Sequence, residues 1–411
     1  MTRTKTLLGV AAFGVLAVAA CHNDELFRPQ NTTPIDARFA RYVSLGNSIT
    51  AGFQSGGIND STQGLAYPVL LARQMHSQFF VPLLNRPGCP PPLVNVFLGT
   101  VVGGASAPPC ALRQGQDPPY PYLNNVAVPG AAVEDVLSNL SPASNSNALT
   151  TFLLGGLTQI EMMQRTNPTF VSVWIGNNDV LGSVLDPVNG GNPADVTPPA
   201  TFAARYDSIL DAIDATPAAS QGVLVGVADV VMIPYLSYGV VYFGAYLQGK
   251  LPPAMTVSLS CAPMASGGVG DTTLVPFAYG ATLLGMASAG VPATLDCLDD
   301  HNVTPSEIAN LHATVAAYNA HIASVANTRG YAYVDPNVPL AQLRADTSQV
   351  VIFPHFPATP TDNSPGVVQR PFGSAFSRDG VHPSAATQKL IANTLIQAIN
   401  AKYGTSLQSI P

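Results

Sequence analysis

Residues 41–52 read RYVSLGNSITAG, from Arg41 to Gly52. Tyr42, Val43 and Leu45 are strand formers without a helical period, and Gly46 interrupts them, so Ser48 is expected just past the carboxyl end of a strand. In open α/β sheets ligands bind at that edge. A serine in this place also serves as an ordinary cap on the next helix. The choice depends on whether the rest of the chain supplies a base and an oxyanion site.

Working outward, TFVSVWIG at 169–176 is the clearest strand, stopped by Gly176 and followed by Asn177, Asn178 and Asp179. GVLVGVA at 222–228 and YAYVD at 331–335 add two more, and NNVAV at 124–128 gives a shorter one that ends at Pro129 and Gly130. Helical spacing falls at 65–75, 148–164, 201–215, 306–329 and 384–403, the last with Ser384 as its cap. Strands alternating with helices predict a parallel sheet of about five strands, covered on both faces.

Two stretches break the alternation. The first, 85–122, is rich in Pro and holds Cys89 and Cys110, which reads as a pinned surface excursion. The second, about 235–300, opens with the aromatic, uncharged PYLSYGVVYFGAYLQG and ends near Cys297. It is either an insertion packed on the core or an apolar cap over the site.

Hydrophobic residues make up 47% of the 411 and charged residues 10%, against about 25% charged in an ordinary soluble domain. The 17 basic and 24 acidic residues leave no Lys/Arg cluster to neutralise phosphates, which argues against a nucleic-acid partner. Arg3 and Lys5 precede an apolar run at 7–20 that is short for a membrane span of roughly 20 residues and suits a signal peptide. The run ends VAAC, so residues 1–21 resemble a bacterial lipoprotein signal with Cys21 as the lipidated residue; plain cleavage after an A-x-A-like site is the other reading. The expected location is the cell envelope, anchored by lipid. His22 and Asn23, in place of an Asp after Cys21, point to the outer membrane in a Gram-negative host. Residues 22–40 read as a tether and 41–405 as one domain.

Cys89, Cys110, Cys261 and Cys297 remain, an even set in an exported chain. The sequence-local pairing, Cys89 with Cys110 and Cys261 with Cys297, closes the shortest loops of the three connectivities. A metal site lacks the CxxC or paired histidines it would need. The Asp- and Asn-rich loop at 185–195 does not have EF-hand spacing and reads as turn chemistry.

A serine hydroxyl is a poor nucleophile until a base takes its proton, and that base needs an orienting carboxylate. Of seven histidines, His22 lies in the tether, His76, His312 and His321 in helical stretches, and His301 and His355 in irregular ones. His382 stands in FSRDGVHPSA, three residues after Asp379 with Gly380 between, a loop able to fold the carboxylate onto Nδ1 and leave Nε2 free. Asn178 offers an amide for an oxyanion, and the backbone N–H groups of Ser48 and Gly130 offer two more donors.

The elements GNS, PGA, GNND and DGVH occur in this order at loops on one side of the expected sheet, and with them the sequence resembles the SGNH (GDSL-type) hydrolase family. The resemblance spans about 42–403 apart from the two excursions. It implies a flavodoxin-like three-layer α/β/α sandwich, Ser48 as nucleophile, His382 as general base and then acid, Asp379 as its orienter, and Ser48, Gly130 and Asn178 as oxyanion donors. The mechanism it implies is ester hydrolysis that needs no metal or organic cofactor. The low charge, the expected lipid anchor and the apolar stretch at 235–249 fit a carboxylesterase or lipase acting on acyl esters, small or lipid-borne, whereas a glycan deacetylase would use more polar contacts; a stretch only packed in the core would remove the main support for that preference. The family usually has Asp before the serine; Asn47 is isosteric with it and still accepts through its oxygen. The GxSxG elbow of α/β-hydrolases is absent here, since Thr50 occupies the second Gly position. Two other classes share these residues: an acyltransferase working through the same serine, and a surface binding lipoprotein on the same fold.

Overall fold

The computed structural model describes residues 33–104, 110, 113–115, 120–138, 149–216, 218, 221–354 and 370–411. The apolar run at 7–20, Cys21, His22 and His355 lie outside them. β1 (Tyr42–Gly46), β2 (Phe170–Trp174), β3 (Gly222–Val225) and β4 (Ala332–Val334) form a parallel sheet in the order β1-β2-β3-β4. The registers pair Tyr42 with Phe170, Val171 with Gly222, and Ala332 with Val223. All five positions of β1 and of β2 are buried, as parallel strands covered on both faces must be.

Alternate side chains divide the core. Val43, Leu45, Val171, Val173 and Leu224 point into one cluster, and Tyr42, Phe170, Trp174, Val223 and Val225 into the other. The helices that position the site are α1 (Ser48–Ala51), α2 (Tyr67–Met75), α3 (Gln159–Thr166), α4 (Asn178–Leu185), α5 (Pro199–Asp214), α6 (Pro305–Arg329), α7 (Asn337–Ala345) and α8 (Ala385–Tyr403). Helices α3, α5 and α6 cover the first face, whereas α2 and α8 cover the second. Three serine and tyrosine hydroxyls between β1 and β2 satisfy one another: Tyr42 Oη lies 2.7 Å from Ser172 Oγ, which donates to Ser44 Oγ at 3.0 Å. Buried hydroxyls without such partners would cost free energy.

The stretch expected as a fifth strand at 124–128 runs alongside β1 without completing a ladder. Ser44 N–H donates to Asn124 O at 2.8 Å, Val126 N–H to Ser44 O at 3.0 Å and Val128 N–H to Gly46 O at 3.1 Å. Only one bridge, Ser44 with Asn125, is regular. Asn124 and Asn125 spend their amides on the Tyr42 and Thr50 carbonyls instead, the competition with backbone pairing that short polar side chains offer. The single helix expected at 148–164 is two, Leu149–Leu154 and α3. Gly155 and Gly156 between them have φ of 64° and 86°, and Thr158 with Glu161 makes a new capping box.

The tether was expected to reach residue 40, but residues 35–39 already belong to the domain. Ile35 N–H donates to Met75 O, Asp36 caps a turn at Ala37–Phe39, and Phe39 is fully buried. The domain also runs past 405, because Asn400 and Asn393 accept the N–H groups of Leu407 and Ile410. Both expected disulfides are present, Cys89 with Cys110 and Cys261 with Cys297.

The stretch at 235–300 is an insertion packed on the core. It pairs Leu236–Tyr238 with Leu274–Pro276 and Met255–Val257 with Ala293–Leu295. Leu236, Tyr242, Val275 and Leu295 are fully buried in the same cluster as Val43 and Leu45. Among the described residues no helix is long and apolar enough to cross a membrane.

Candidate active site

Ser48 owes its place to the abrupt end of β1. Gly46 is clamped by an amide from α3: its N–H donates to Gln159 Oε1 and its carbonyl accepts from Gln159 Nε2, both at 2.9 Å. A Cβ at Gly46 would stand 2.3 Å from Thr50 Oγ1 and 2.6 Å from the Trp174 carbonyl oxygen, so only glycine fits there. Asn47 then caps α1, its Oδ1 accepting the Ile49 N–H at 3.2 Å. The acceptor role expected of this residue is the one it plays. Its Nδ2 has no partner among the described residues. Ser48 follows as the first helical residue.

His382 reaches Ser48 from the loop before α8. Its Nε2 lies 2.8 Å from Ser48 Oγ, and its Nδ1 lies 2.9 Å from Asp379 Oδ2. The turn is built by Asp379 itself, whose Oδ1 accepts the N–H groups of Val381 at 3.0 Å and His382 at 2.9 Å, with Gly380 at φ 70°. Two further donors complete the carboxylate: Ser377 Oγ, two residues earlier, at 2.9 Å from Oδ1, and the Gly56 N–H, far away in sequence, at 2.7 Å from Oδ2. Burial alone would push the Asp379 pKa up, but the His382 ring and the backbone N–H groups outweigh it and hold the carboxyl well below the usual range. Asp379 therefore stays ionised, and a Phe53 ring 4.9 Å away packs on the imidazole.

On the other side of Ser48, the Val128 N–H bond to Gly46 O lays the Pro129 and Gly130 turn beside the end of β1. Gly130 has φ 85°. Asn178 Nδ2 donates to Ala131 O at 2.8 Å, which leaves its second N–H to point elsewhere. Asp179 adds a second stitch between α4 and this turn, accepting the Val133 N–H at 2.9 Å. Its burial pushes the carboxyl up to about 7, with Asp135 adding to the rise and hydrogen bonds from Val133 and Thr197 opposing it.

Ser48, Gly130 and Asn178 thus stand just past the ends of β1, the stretch beside β1 and β2, and the loop before α8 brings Asp379 and His382 to Ser48. Gln159, Gly56, Ser377 and Phe53 carried no sequence signal. The remaining described histidines serve elsewhere: His312 pairs with Asp229 at 2.5 Å, His321 with Asp207 at 2.9 Å, His301 with Asp299, and His76 ends α2. The loop at 185–195 is turn chemistry, with Asp186 accepting the Val188 and Asn189 N–H groups.

A hydroxyl bonded to an imidazole that is bonded in turn to a carboxylate, set at strand ends of a parallel α/β sheet, is the arrangement serine hydrolases use. The model of the GDSL-like lipase/acylhydrolase family matches residues 42–395, and the chain belongs to that family. It is a hydrolase acting on esters. Among solved structures, the chain is similar to an acetylxylan esterase from Geobacillus stearothermophilus, at 12% identity over 90% of this chain and 96% of that one, with a TM-score of 0.37. It is also similar to an extracellular lipase from Streptomyces rimosus, at 17% identity over 88% and 98%, with a TM-score of 0.37. A search of curated proteins found no match.

Proposed function

We propose that the protein is a carboxylesterase or lipase that cleaves acyl esters through a Ser48 acyl-enzyme. The observation that carries this reading is the continuous line Ser48 Oγ, His382 Nε2, His382 Nδ1 and Asp379 Oδ2, at 2.8 and 2.9 Å. Ser48 Oγ attacks the ester carbonyl carbon as His382 Nε2 takes its proton. The oxyanion is met by the Ser48 and Gly130 N–H groups and by Asn178 Nδ2. Collapse breaks the carbon–oxygen bond, and the departing alkoxide takes the proton from His382. Water then attacks the acyl-enzyme with the same imidazole as base, releasing the acid and restoring Ser48. Asp379 holds the ring and steadies its charged form.

Export and attachment to the cell envelope through Cys21 belong to the same proposal, on the strength of the VAAC sequence and the basic, then apolar, residues before it. The anchor would keep the enzyme beside lipid-borne esters.

The test is hydrolysis of p-nitrophenyl esters from acetate to palmitate by the chain lacking residues 1–21, with Ser48→Ala and His382→Ala. Each variant is expected to lose on the order of 10⁴-fold or more in kcat, the scale for removing either member of such a relay. Wild-type turnover that survives in both variants refutes the reading, as does failure of Ser48 to be labelled by a fluorophosphonate.

A further inference from the structure

Three side chains in succession hold the turn that follows Gly130. Asn178 Nδ2 donates to Ala131 O at 2.8 Å, Asp135 Oδ2 accepts the Ala132 N–H at 2.7 Å, and Asp179 Oδ2 accepts the Val133 N–H at 2.9 Å. Asn178 and Asp179 open α4 side by side, so the helix turn that presents one oxyanion donor also fixes the loop that presents another. The Asp179 side chain is buried, and the ester chemistry proposed above makes no use of it.

Its surroundings differ from those of Asp379. Asp379 collects donors on both oxygens, from Val381, His382 and Ser377 on Oδ1 and from Gly56 and the His382 ring on Oδ2. Asp179 has the Val133 N–H on Oδ2 and Thr197 beside it, and its Oδ1 is buried without a partner among the described residues. Of the elements packed around it, the turn Val133–Val136 contributes Asp135, which opposes a charge on Asp179, and α6 contributes Tyr318, whose proton such a charge would hold on. Other charged groups of these elements are paired among themselves: Glu134 with Arg205 at 3.5 Å, Asp229 with His312, Asp207 with His321, and Asp195 with Asp186. A buried carboxylate with so few donors is unfavourable, and the neutral acid avoids that cost.

We propose that Asp179 is a positioning residue of the oxyanion site: as a neutral acid it ties the Gly130 turn to α4 and sets the Gly130 N–H against Asn178 Nδ2. The proposal rests on the hydrolase reading above and adds a second proton to it, one that must stay on Asp179 while His382 must be without one to act as base. When the Asp179 proton leaves, a charge appears beside Asp135 in a site with one backbone donor, and the turn gives way to let water reach it. The Val133 N–H is three residues from the Gly130 N–H, so the shift carries to the oxyanion donor. Burial, with Asp135 adding to it, places that loss at about pH 7. Activity then falls as pH rises through this point, opposite in sign to the rise that comes from freeing the His382 base.

The test is kcat and KM for p-nitrophenyl butyrate between about pH 5.5 and 8.5 in wild type, Asp179→Asn, Asp179→Ala and Asp135→Asn, with Ser48→Ala as control. Asn keeps an acceptor for the Val133 N–H and cannot ionise. The ratio of kcat in Asp179→Asn to that in wild type should therefore be near one at about pH 5.5 and about tenfold or more at about pH 8.5, with KM within about twofold throughout, because oxyanion donors act in the transition state. Asp135→Asn removes the neighbouring charge and should move the falling limb to higher pH. Asp179→Ala loses the bond to Val133 and should lower kcat by about tenfold or more at every pH, again with KM little changed. A kcat ratio that stays flat, a falling limb that Asp135→Asn leaves in place, or a folded Asp179→Ala enzyme with wild-type kcat each overturns the role of Asp179 while hydrolysis still depends on Ser48. Hydrolysis that survives Ser48→Ala overturns the mechanism itself, and the proposal with it.

Discussion

Replacing Asp179 by Asn is expected to stabilise the protein at neutral pH and to remove one component of its pH dependence. The carboxyl is 2% exposed, and its pKa is raised from 3.8 to about 7, mainly by burial. Between about pH 4 and 7 the folded chain keeps this proton while the unfolded chain gives it up. Unfolding then releases a proton, and stability falls as pH rises. A rise of about three units at 1.36 kcal/mol per unit makes the cost up to ~4 kcal/mol at pH 7. Asn keeps an oxygen for the Val133 N–H and carries no charge, so the cost should vanish. Urea unfolding followed by Trp174 emission at steps from pH 4 to 8 gives both curves. The variant should match the wild type near pH 4 and gain progressively above it. Curves that stay parallel across this range would refute the reasoning, because every other titrating group is common to the two proteins.

Gly380→Ala should destabilise the fold by ~2–4 kcal/mol and cut ester hydrolysis more than tenfold. The positive φ disfavours any side chain there, and the new Cβ would stand 2.8 Å from the Phe372 ring; thermal melts and p-nitrophenyl butyrate assays read the two effects. Asn178→Ala should lower kcat by about 10²–10³ with little change in KM, the scale for losing one oxyanion donor, and steady-state kinetics separate the two constants. Replacing Cys261 and Cys297 together by Ser should cost ~4 kcal/mol by the loop-closure relation for a separation of 36 residues, measured as a fall in the urea midpoint. Below about pH 4 the wild type should lose stability as Asp379, whose folded pKa is depressed, takes up a proton more readily in the unfolded chain.

Local chemistry made much of this protein legible before its structure. An apolar run ended by Gly46 announces a strand end, and it is found there; the cap that the sequence offered at Ser48 is taken one residue earlier by Asn47, which leaves Ser48 as the first helical residue. The spacing from Asp379 to His382 announces an Asp-built turn, because a carboxylate three residues before an imidazole can reach both its N–H and its ring. Misreadings arose where side chains compete with the backbone. Asn124 and Asn125 look like the start of a strand by position, yet their amides draw the carbonyls of Tyr42 and Thr50 and leave the ladder incomplete. Gly155 and Gly156 fall inside a helical period, but their left-handed backbone ends one helix before the Thr158 cap starts another.

The sequence by itself determined where β1 and β2 stop and in what order the reactive side chains come. Those features arise within short stretches of chain, where residue type acts directly on backbone conformation. The tertiary structure alone decided that Gln159 clamps Gly46 across 113 residues, that the Gly56 N–H completes the Asp379 carboxylate, and that the apolar insertion buttresses the His382 loop. Each of these joins segments whose only relation is that the same core brings them together, and a hydrogen bond to a backbone N–H leaves no mark on the residue that donates it.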